Sequence, residues 1–251
     1  MESNNSLVGQ VVLVTGSAKR VGAAIARRLH AAGATVALHY RSAQGEADAL
    51  VAELNGRRPG SAAAYQADLL ATGSLPALVE SVVAGHGRLD GLVNNASSFF
   101  PTPVGSIDEA AWDDLTGSNF KAPLFLAQAA APHLRRSRGA IVNITDIHAE
   151  RPLKGYALYC AAKGALLTLT RALAIELGPE VRVNAVAPGA ILWPSDGQFP
   201  TAERSSIVEH TLLKREGSPE DIASTVHFLL GAASYMTGQV LNVDGGRTAH
   251  L

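Results

Sequence analysis

Between residues 11 and 243 the chain alternates short apolar, β-branched runs with stretches of helical periodicity, and few architectures accept that order. The runs are apolar at successive positions, not at every second one, which marks strands covered on both faces. Strands separated by helices pair in parallel, since a parallel pair needs a crossover connection. The pattern predicts strands over 11–16, 34–40, 62–67, 89–94, 139–145, 181–187 and 239–243. It predicts helices over 21–32, 43–54, 74–85, 108–136 with a bend near Pro123, 156–177 and 219–231. The expected fold is α/β, one doubly wound parallel sheet with helices on both faces.

A chain of 251 residues buries enough surface to fold without disulfides or metals. No repeat, low-complexity tract or Pro/Gly/Ser-rich linker divides it, so residues 10–251 are expected to form one domain behind a polar tail over 1–9. The longest stretch without clear periodicity, 190–218, reads as a substrate-side flap. Aromatic residues make up only 5% of the chain, which suits close helix-on-sheet packing better than an aromatic-lined binding module.

Lys and Arg number 21 against 22 Asp and Glu, a balance that excludes a general nucleic-acid binder relying on phosphate neutralisation. The lone cysteine, Cys160, allows no intrachain disulfide and suits an intracellular setting. The opening MESNNSLVGQ has neither a basic nor an apolar segment, so it is not read as a signal peptide. No uninterrupted apolar run reaches membrane-spanning length, and a cytoplasmic protein is expected. The eight histidines are scattered without metal-ligand spacing, so no metal site is expected.

The chemistry concentrates where strands end. Thr15 to Gly22 reads TGSAKRVG, where the first strand meets the first helix. Such a turn lets the backbone at Gly16, Val21 and Gly22 approach a pyrophosphate at the helix N-terminus. Glycine alone is weak support there, but Lys19 and Arg20 add cations where phosphates would lie. The second strand ends in HYRS (His39 to Ser42), with no acid to bind a ribose hydroxyl and with Arg41 suited to a 2′-phosphate. NADPH is therefore the expected cofactor. The fourth strand closes with Asn94 and Asn95, polar residues that need hydrogen-bond partners if buried.

Tyr159 and Lys163 stand four apart in YCAAK, on one helix face. A free tyrosine has a pKa of about 10, and an ammonium one turn away lowers it. Tyr156 cannot take that role, because its i+4 neighbour is Cys160. Cys160 itself reads as a small core residue. A Tyr-x-x-x-Lys pair alone occurs by chance in many helices.

Taken together, TGSAKRVG, ADL (Ala67 to Leu69), NNA (Asn94 to Ala96), Asn119 in SNFKAP, YCAAK, RVNAVAPG (Arg182 to Gly189) and VDGG (Val243 to Gly246) resemble the short-chain dehydrogenase/reductase family. The resemblance covers essentially the entire chain and implies an open Rossmann fold. It implies Asp68 and Leu69 near an adenine, and Asn95, Ala96 and Thr145 along the cofactor. Lys163 would hold the nicotinamide ribose and lower the Tyr159 pKa, and Asn119 would position a relay water. Pro188 and Gly189 would flank the nicotinamide. Helices 108–136 and 156–177 would make the contacts of a homotetramer.

Two departures narrow the resemblance. Arg20 stands where the family has a glycine, and Asp146 stands where it has a catalytic serine. A carboxylate there would repel a developing alkoxide, so a simple ketone is not the expected substrate. Both departures, with NNASSFFPTP (Asn94 to Pro103) and HYRSA, resemble pteridine reductases, including the bacterial dihydromonapterin type. That resemblance implies Arg20 on the cofactor phosphates and substrate, Ser97 on both ligands, and Phe99 stacked on a pterin. Asp146, Tyr159 and Lys163 would form the catalytic set. Some relatives carry an extra residue between HY and RS, leaving Tyr40 or Arg41, beside Ser42, as the main 2′-phosphate contact. Trp193 either walls the substrate pocket or merely packs, and His148 reads as loop-exposed. The expected activity is NADPH-dependent reduction of dihydrobiopterin, dihydromonapterin or dihydrofolate. A carbonyl or 3-oxoacyl reductase and a non-catalytic nicotinamide sensor are the alternatives.

Overall fold

The computed structural model describes residues 6–193 and 199–249. Seven strands, β1 (Val11–Val14), β2 (Thr35–Tyr40), β3 (Ala62–Gln66), β4 (Gly91–Asn94), β5 (Ala140–Ile144), β6 (Arg182–Pro188) and β7 (Val240–Val243), form one sheet in the order β3-β2-β1-β4-β5-β6-β7. Every pairing is parallel. The expected doubly wound α/β sheet is the fold.

Why the strands read as unbroken apolar runs is visible in β1. Val12 and Val14 enter one core while their neighbours Val11 and Leu13 enter the other. The first core is closed by α1 (Arg20–Ala31), α2 (Gln44–Arg57) and α8 (Pro219–Leu230), through residues such as Ile25, Leu54 and Val226. The second is closed by α3 (Leu75–His86), α5 (Ala122–Ser137) and α6 (Ala157–Leu177), through Leu75, Leu126 and Leu173. By length and composition α6 could cross a membrane, but more than half of its apolar window is buried within this fold.

Strand order reverses between β1 and β4, so the loops after these strands part and leave a crevice at their carboxyl ends. The turns after β1, β4, β5 and β6 all open into it.

One expectation holds and two need correction. The helix expected over 108–136 is interrupted near Pro123, just before that residue. The segments α4 (Glu109–Thr116) and α5 are joined by a π-helical turn at Gly117–Lys121 that contains Asn119. Pro123, at the start of α5, sits where a missing N–H costs little. The expected flap 190–218 is not wholly irregular, since α7 spans Thr201–Glu209; its residues 194–198 lie outside the described residues. Finally, of the tail expected over 1–9, residues 1–5 lie outside the described residues, and residues 6–9 do not remain apart from the fold. Leu7 is fully buried in the first core, and its N–H donates to Ala32 O at 2.9 Å.

Leu7→Ala is therefore expected to destabilise the protein by about 2–5 kcal/mol, the cost of a large-to-small change in a packed core. Urea unfolding of the variant measures this directly; an unchanged midpoint would return Leu7 to the surface.

Candidate active site

At the switch point the end of β1 is tied to the end of β4. Thr15 Oγ1 accepts the N–H groups of Asn95 and Ala96 at 2.9 and 3.0 Å. In return, Asn95 Nδ2 donates to Thr15 O at 2.9 Å and Gly16 O at 3.1 Å. The two adjacent asparagines thus have distinct jobs. Asn94 Nδ2 donates to Asn143 Oδ1 at 2.8 Å, cross-linking β4 to β5, whereas Asn95 secures the turn.

The turn after β1 requires glycine at two places. Gly16 has φ +60, and a Cβ on it would fall 2.9 Å from Ala96 Cα. A Cβ on Gly22 would fall 2.3 Å from Gly16 O. His39, to which the sequence alone assigns no role, supports the same turn from β2. Its Nδ1 accepts from Gly16 N at 3.1 Å, so its Nε2–H is the donor to Ala67 O at 3.1 Å. Burial lowers its pKa and favours the neutral ring that this arrangement needs. The H in HYRS was the available signal, but only the fold brings it to Gly16.

These loops enclose a cleft of about 690 Å³. Its first wall carries Gly16, Lys19, Arg20, Val21 and Gly22 from the turn, with Arg41, Asp68 and Leu69 from the ends of β2 and β3. No side chain caps the N-terminus of α1, and its first turn contains no acid. Uncapped N–H groups, absent glycine side chains and a nearby arginine together fit a pyrophosphate with a 2′-phosphate on the ribose. Lys19 is also paired with Glu46 Oε1 at 2.5 Å. Tyr40 and Ser42 are not part of this wall: Tyr40 is buried and Ser42 is exposed outside it. Of the two candidates for the 2′-phosphate, Arg41 alone faces the cleft.

The other walls hold Asn95, Ala96, Ser97 and Phe99 after β4, Thr145 and Asp146 after β5, Tyr159 and Lys163 on α6, Pro188 at the end of β6, and Gly189 and Trp193 after it. Asn119 is buried behind them, 1% exposed. The π-turn lets Asn119 Nδ2 reach Ser98 O at 2.9 Å and Leu115 O at 3.0 Å, while its Oδ1 accepts from Ser97 Oγ at 2.6 Å. It therefore meets the cleft through Ser97.

At the centre, Tyr159 Oη donates to Asp146 Oδ2 at 2.7 Å, and Asp146 Oδ1 accepts from His148 N at 2.8 Å. Lys163 Nζ donates to Ile144 O at 2.9 Å and lies 5.7 Å from the Tyr159 ring centroid. The expectation that Lys163 lowers the Tyr159 pKa is reversed in this arrangement. Burial, followed by the charge and hydrogen bond of Asp146, pushes the phenol well above its ordinary value. Burial and a carboxylate in direct contact act in the same direction, while the Lys163 ammonium is bound to a backbone carbonyl. Burial also brings Lys163 down to about 8, with Asp146 opposing the fall.

Aromatic rings gather beside this group. Phe99 stacks on Tyr156, centroids 4.7 Å apart and planes 13° apart, and meets Tyr159 edge-on at 4.8 Å. Phe199 lies nearly parallel to Phe99, 6.3 Å away at 12°. Trp193 packs on Phe199 at 5.4 Å, and its Nε1 donates to Glu216 Oε1 at 2.6 Å. Phe199 was missed because the flap has no periodicity to single it out. Arg20, in the left-handed region at φ +54, crosses to the flap and donates to the carbonyls of Leu192 and Trp193 at 3.1 and 3.3 Å. His148 is half-buried and lines the cleft rather than standing in solvent.

A family model described as enoyl-(acyl carrier protein) reductase matches residues 16–248. Pteridine reductase 1 of Leishmania tarentolae is 42% identical, the match covering 94% of this chain and 95% of that protein. A 3-oxoacyl-[acyl-carrier-protein] reductase of Staphylococcus epidermidis is 35% identical, over 93% of this chain and 97% of that protein. Among solved structures, a blue fluorescent protein from a metagenomic library, in complex with NADPH, superposes with a TM-score of 0.90 at 38% identity. That match covers 96% of this chain and 99% of the other.

The buried lysine has a measurable consequence. Between about 8, its folded value, and its ordinary 10.5, the unfolded chain binds more protons than the folded one, so stability rises with pH through that window. Below it the buried ammonium costs the fold a constant amount, on the order of 3 kcal/mol. Lys163→Met, which removes the charge and keeps the length, is expected to unfold at higher urea than the parent at neutral pH. That advantage should shrink as pH rises across the window; an equal shift at both ends would show that the ammonium is not its source.

Proposed function

We propose that this chain, which belongs to the short-chain dehydrogenase/reductase family, reduces dihydropterins with NADPH. It is an oxidoreductase of that family; the substrates proposed for it are dihydrobiopterin, dihydromonapterin and dihydrofolate, taken to their tetrahydro forms. The observation that carries the reading is the 2.7 Å hydrogen bond from Tyr159 to a carboxylate, Asp146, beside the Phe99 ring.

A pterin presents a flat face for stacking and an edge of amide and amine groups that a carboxylate can read. Reduction of its C=N bond adds hydride to carbon and a proton to nitrogen. NADPH, when bound, supplies the hydride. Asp146 and Tyr159 share a proton beside the substrate, and they deliver it to the ring nitrogen and recover another from water. With its pKa raised, Tyr159 remains a protonated donor at neutral pH. Lys163, held by Ile144 O, keeps a cation beneath the pair and holds the ribose. Ser97, aligned by Asn119, contacts both ligands. Arg41 and Arg20 serve the phosphates, and the described flap residues that Arg20 and the aromatic group meet, Leu192, Trp193 and Phe199, line the substrate side.

A 3-oxoacyl reductase is the second reading, and the Staphylococcus relative supports it. A ketone oxygen that gains negative charge during reduction would meet the Asp146 carboxylate, which argues against that activity. The buried Tyr159–Lys163 machinery argues against a sensor without turnover. A homotetramer built through α4, α5 and α6 is part of the proposal, and the exposed Ile175 on α6 suits such a contact. A cytoplasmic setting is proposed on the single reduced cysteine, which is buried.

Asp146→Ser, which restores the residue usual in the family, is expected to slow dihydrobiopterin reduction about 10²–10⁴-fold, the range for a lost general acid–base group. A ketone control should be unaffected or improved, and full pterin activity in the serine variant would overturn the reading. Arg41→Asp should weaken NADPH binding by a few kcal/mol through lost charge-assisted bonds and added repulsion, leaving NADH nearly unchanged. Equal losses for both cofactors would show that Arg41 does not read the 2′-phosphate.

A further inference from the structure

Beside the main cleft lies a second pocket of about 270 Å³, lined by Ile147, His148, Arg151, Pro152, Leu153, Arg247 and Thr248. His148, Leu153 and Arg247 also line the main cleft, so the two spaces share a wall. The smaller pocket contains three basic side chains and no acid. None of the ion pairs among the described residues includes Arg151 or Arg247.

The nearest acid in the C-terminal turn is already engaged. Asp244 accepts Gly246 N at 2.9 Å, Thr248 N at 2.8 Å and Thr248 Oγ1 at 2.7 Å. Those bonds hold its pKa low against the opposing effect of burial, and they shape the turn that carries the half-buried Arg247. Arg151 crosses to the same turn, donating to Thr248 O at 3.3 Å. Its own carbonyl accepts His148 Nδ1–H at 2.8 Å. His148 in turn is anchored to Asp146 through its backbone N–H. The pocket is thus built from a fixed lattice of bonds and adjoins the carboxylate assigned to the pterin ring.

We infer that this pocket is an anion subsite for a negatively charged side arm of the substrate, such as the acyl-glutamate carboxylates of a folate or the phosphate of a phosphorylated pterin. The inference rests on the pterin reading for the ring and goes beyond it in assigning the arm. Cations left without carboxylate partners at the margin of a cleft favour an anion, and a guanidinium can grip either group through paired N–H donors.

The test compares dihydrofolate, a dihydroneopterin phosphate and dihydrobiopterin, whose arm is uncharged, on the parent protein and on Arg247→Ala. The Michaelis constant should rise about tenfold more for an anionic arm, the loss of roughly one charge-assisted contact, than it changes for dihydrobiopterin. A rise confined to dihydrofolate assigns the pocket to carboxylates; one confined to the phosphate compound assigns it to phosphate. Arg151→Gln should shift the constants in the same direction. Equal constants for all three compounds overturn the subsite. Calorimetric titration with folate separates this inference from the reaction itself. Weaker binding by Arg247→Ala upholds the subsite even if no pterin is turned over, an outcome that would sink only the proposed reaction. Equal folate binding by both proteins, or none by either, overturns the subsite.

Discussion

Thr15 and Asn95 join the carboxyl ends of β1 and β4 where the strand order reverses, and the cleft depends on that junction. The Thr15 hydroxyl accepts two backbone N–H groups, and the Asn95 amide returns bonds to Thr15 O and Gly16 O. A parallel sheet leaves its strand ends without ladder partners, and at a switch point the chains also diverge. Side chains that satisfy those ends fix the height and tilt of the phosphate turn. His39 adds a third support, bonding Gly16 on one side and Ala67 on the other. The turn can then dispense with side chains at Gly16 and Gly22 and expose its backbone.

The same economy of polar groups shapes the reactive centre. Asp146, Tyr159 and Lys163 stand close together in a poorly hydrated wall, where each charge strongly affects its neighbours. Lys163 loses water on burial and regains only a backbone carbonyl and the field of Asp146, so its ammonium is held less firmly than in solution. Tyr159 loses water too and faces a carboxylate, so it keeps its proton. A serine in place of Asp146 would remove the charge that adds to the burial effect on Tyr159 and opposes it on Lys163. Burial and the one residue after β5 thus act together to keep the tyrosine a proton donor.

On the substrate side, control passes to contacts between distant segments. Arg20 adopts a left-handed backbone that disfavours residues other than glycine, and its side chain reaches flap carbonyls more than 170 positions away. The aromatic group Phe99, Tyr156, Phe199 and Trp193 draws on three separate stretches of chain. Phe99 already has one neighbour stacked on it, so a planar substrate would meet a ring whose orientation is set in advance. Such pre-ordering reduces what binding must organise.

How much of this was legible beforehand follows from the range over which each signal acts. Apolar runs and helical spacing are local, so the strands, their parallel pairing and the position of the phosphate turn could be read from composition along the chain. Tyr159 and Lys163 could be paired because a helix fixes residues four apart, and the resemblance added Asp146, Arg20 and Phe99. The burial of Leu7, the π-turn that aims Asn119 at Ser97, the exclusion of Tyr40 from the cleft and the meeting of Arg151 with the C-terminal turn could not be read that way. Each depends on where whole elements pack against one another. The sequence by itself determined which strands form and which residues sit at their ends, because burial on a sheet imposes a local pattern. Only the tertiary structure decided which of those residues face one another and what charge they hold, because desolvation and hydrogen bonding across long separations depend on the final packing.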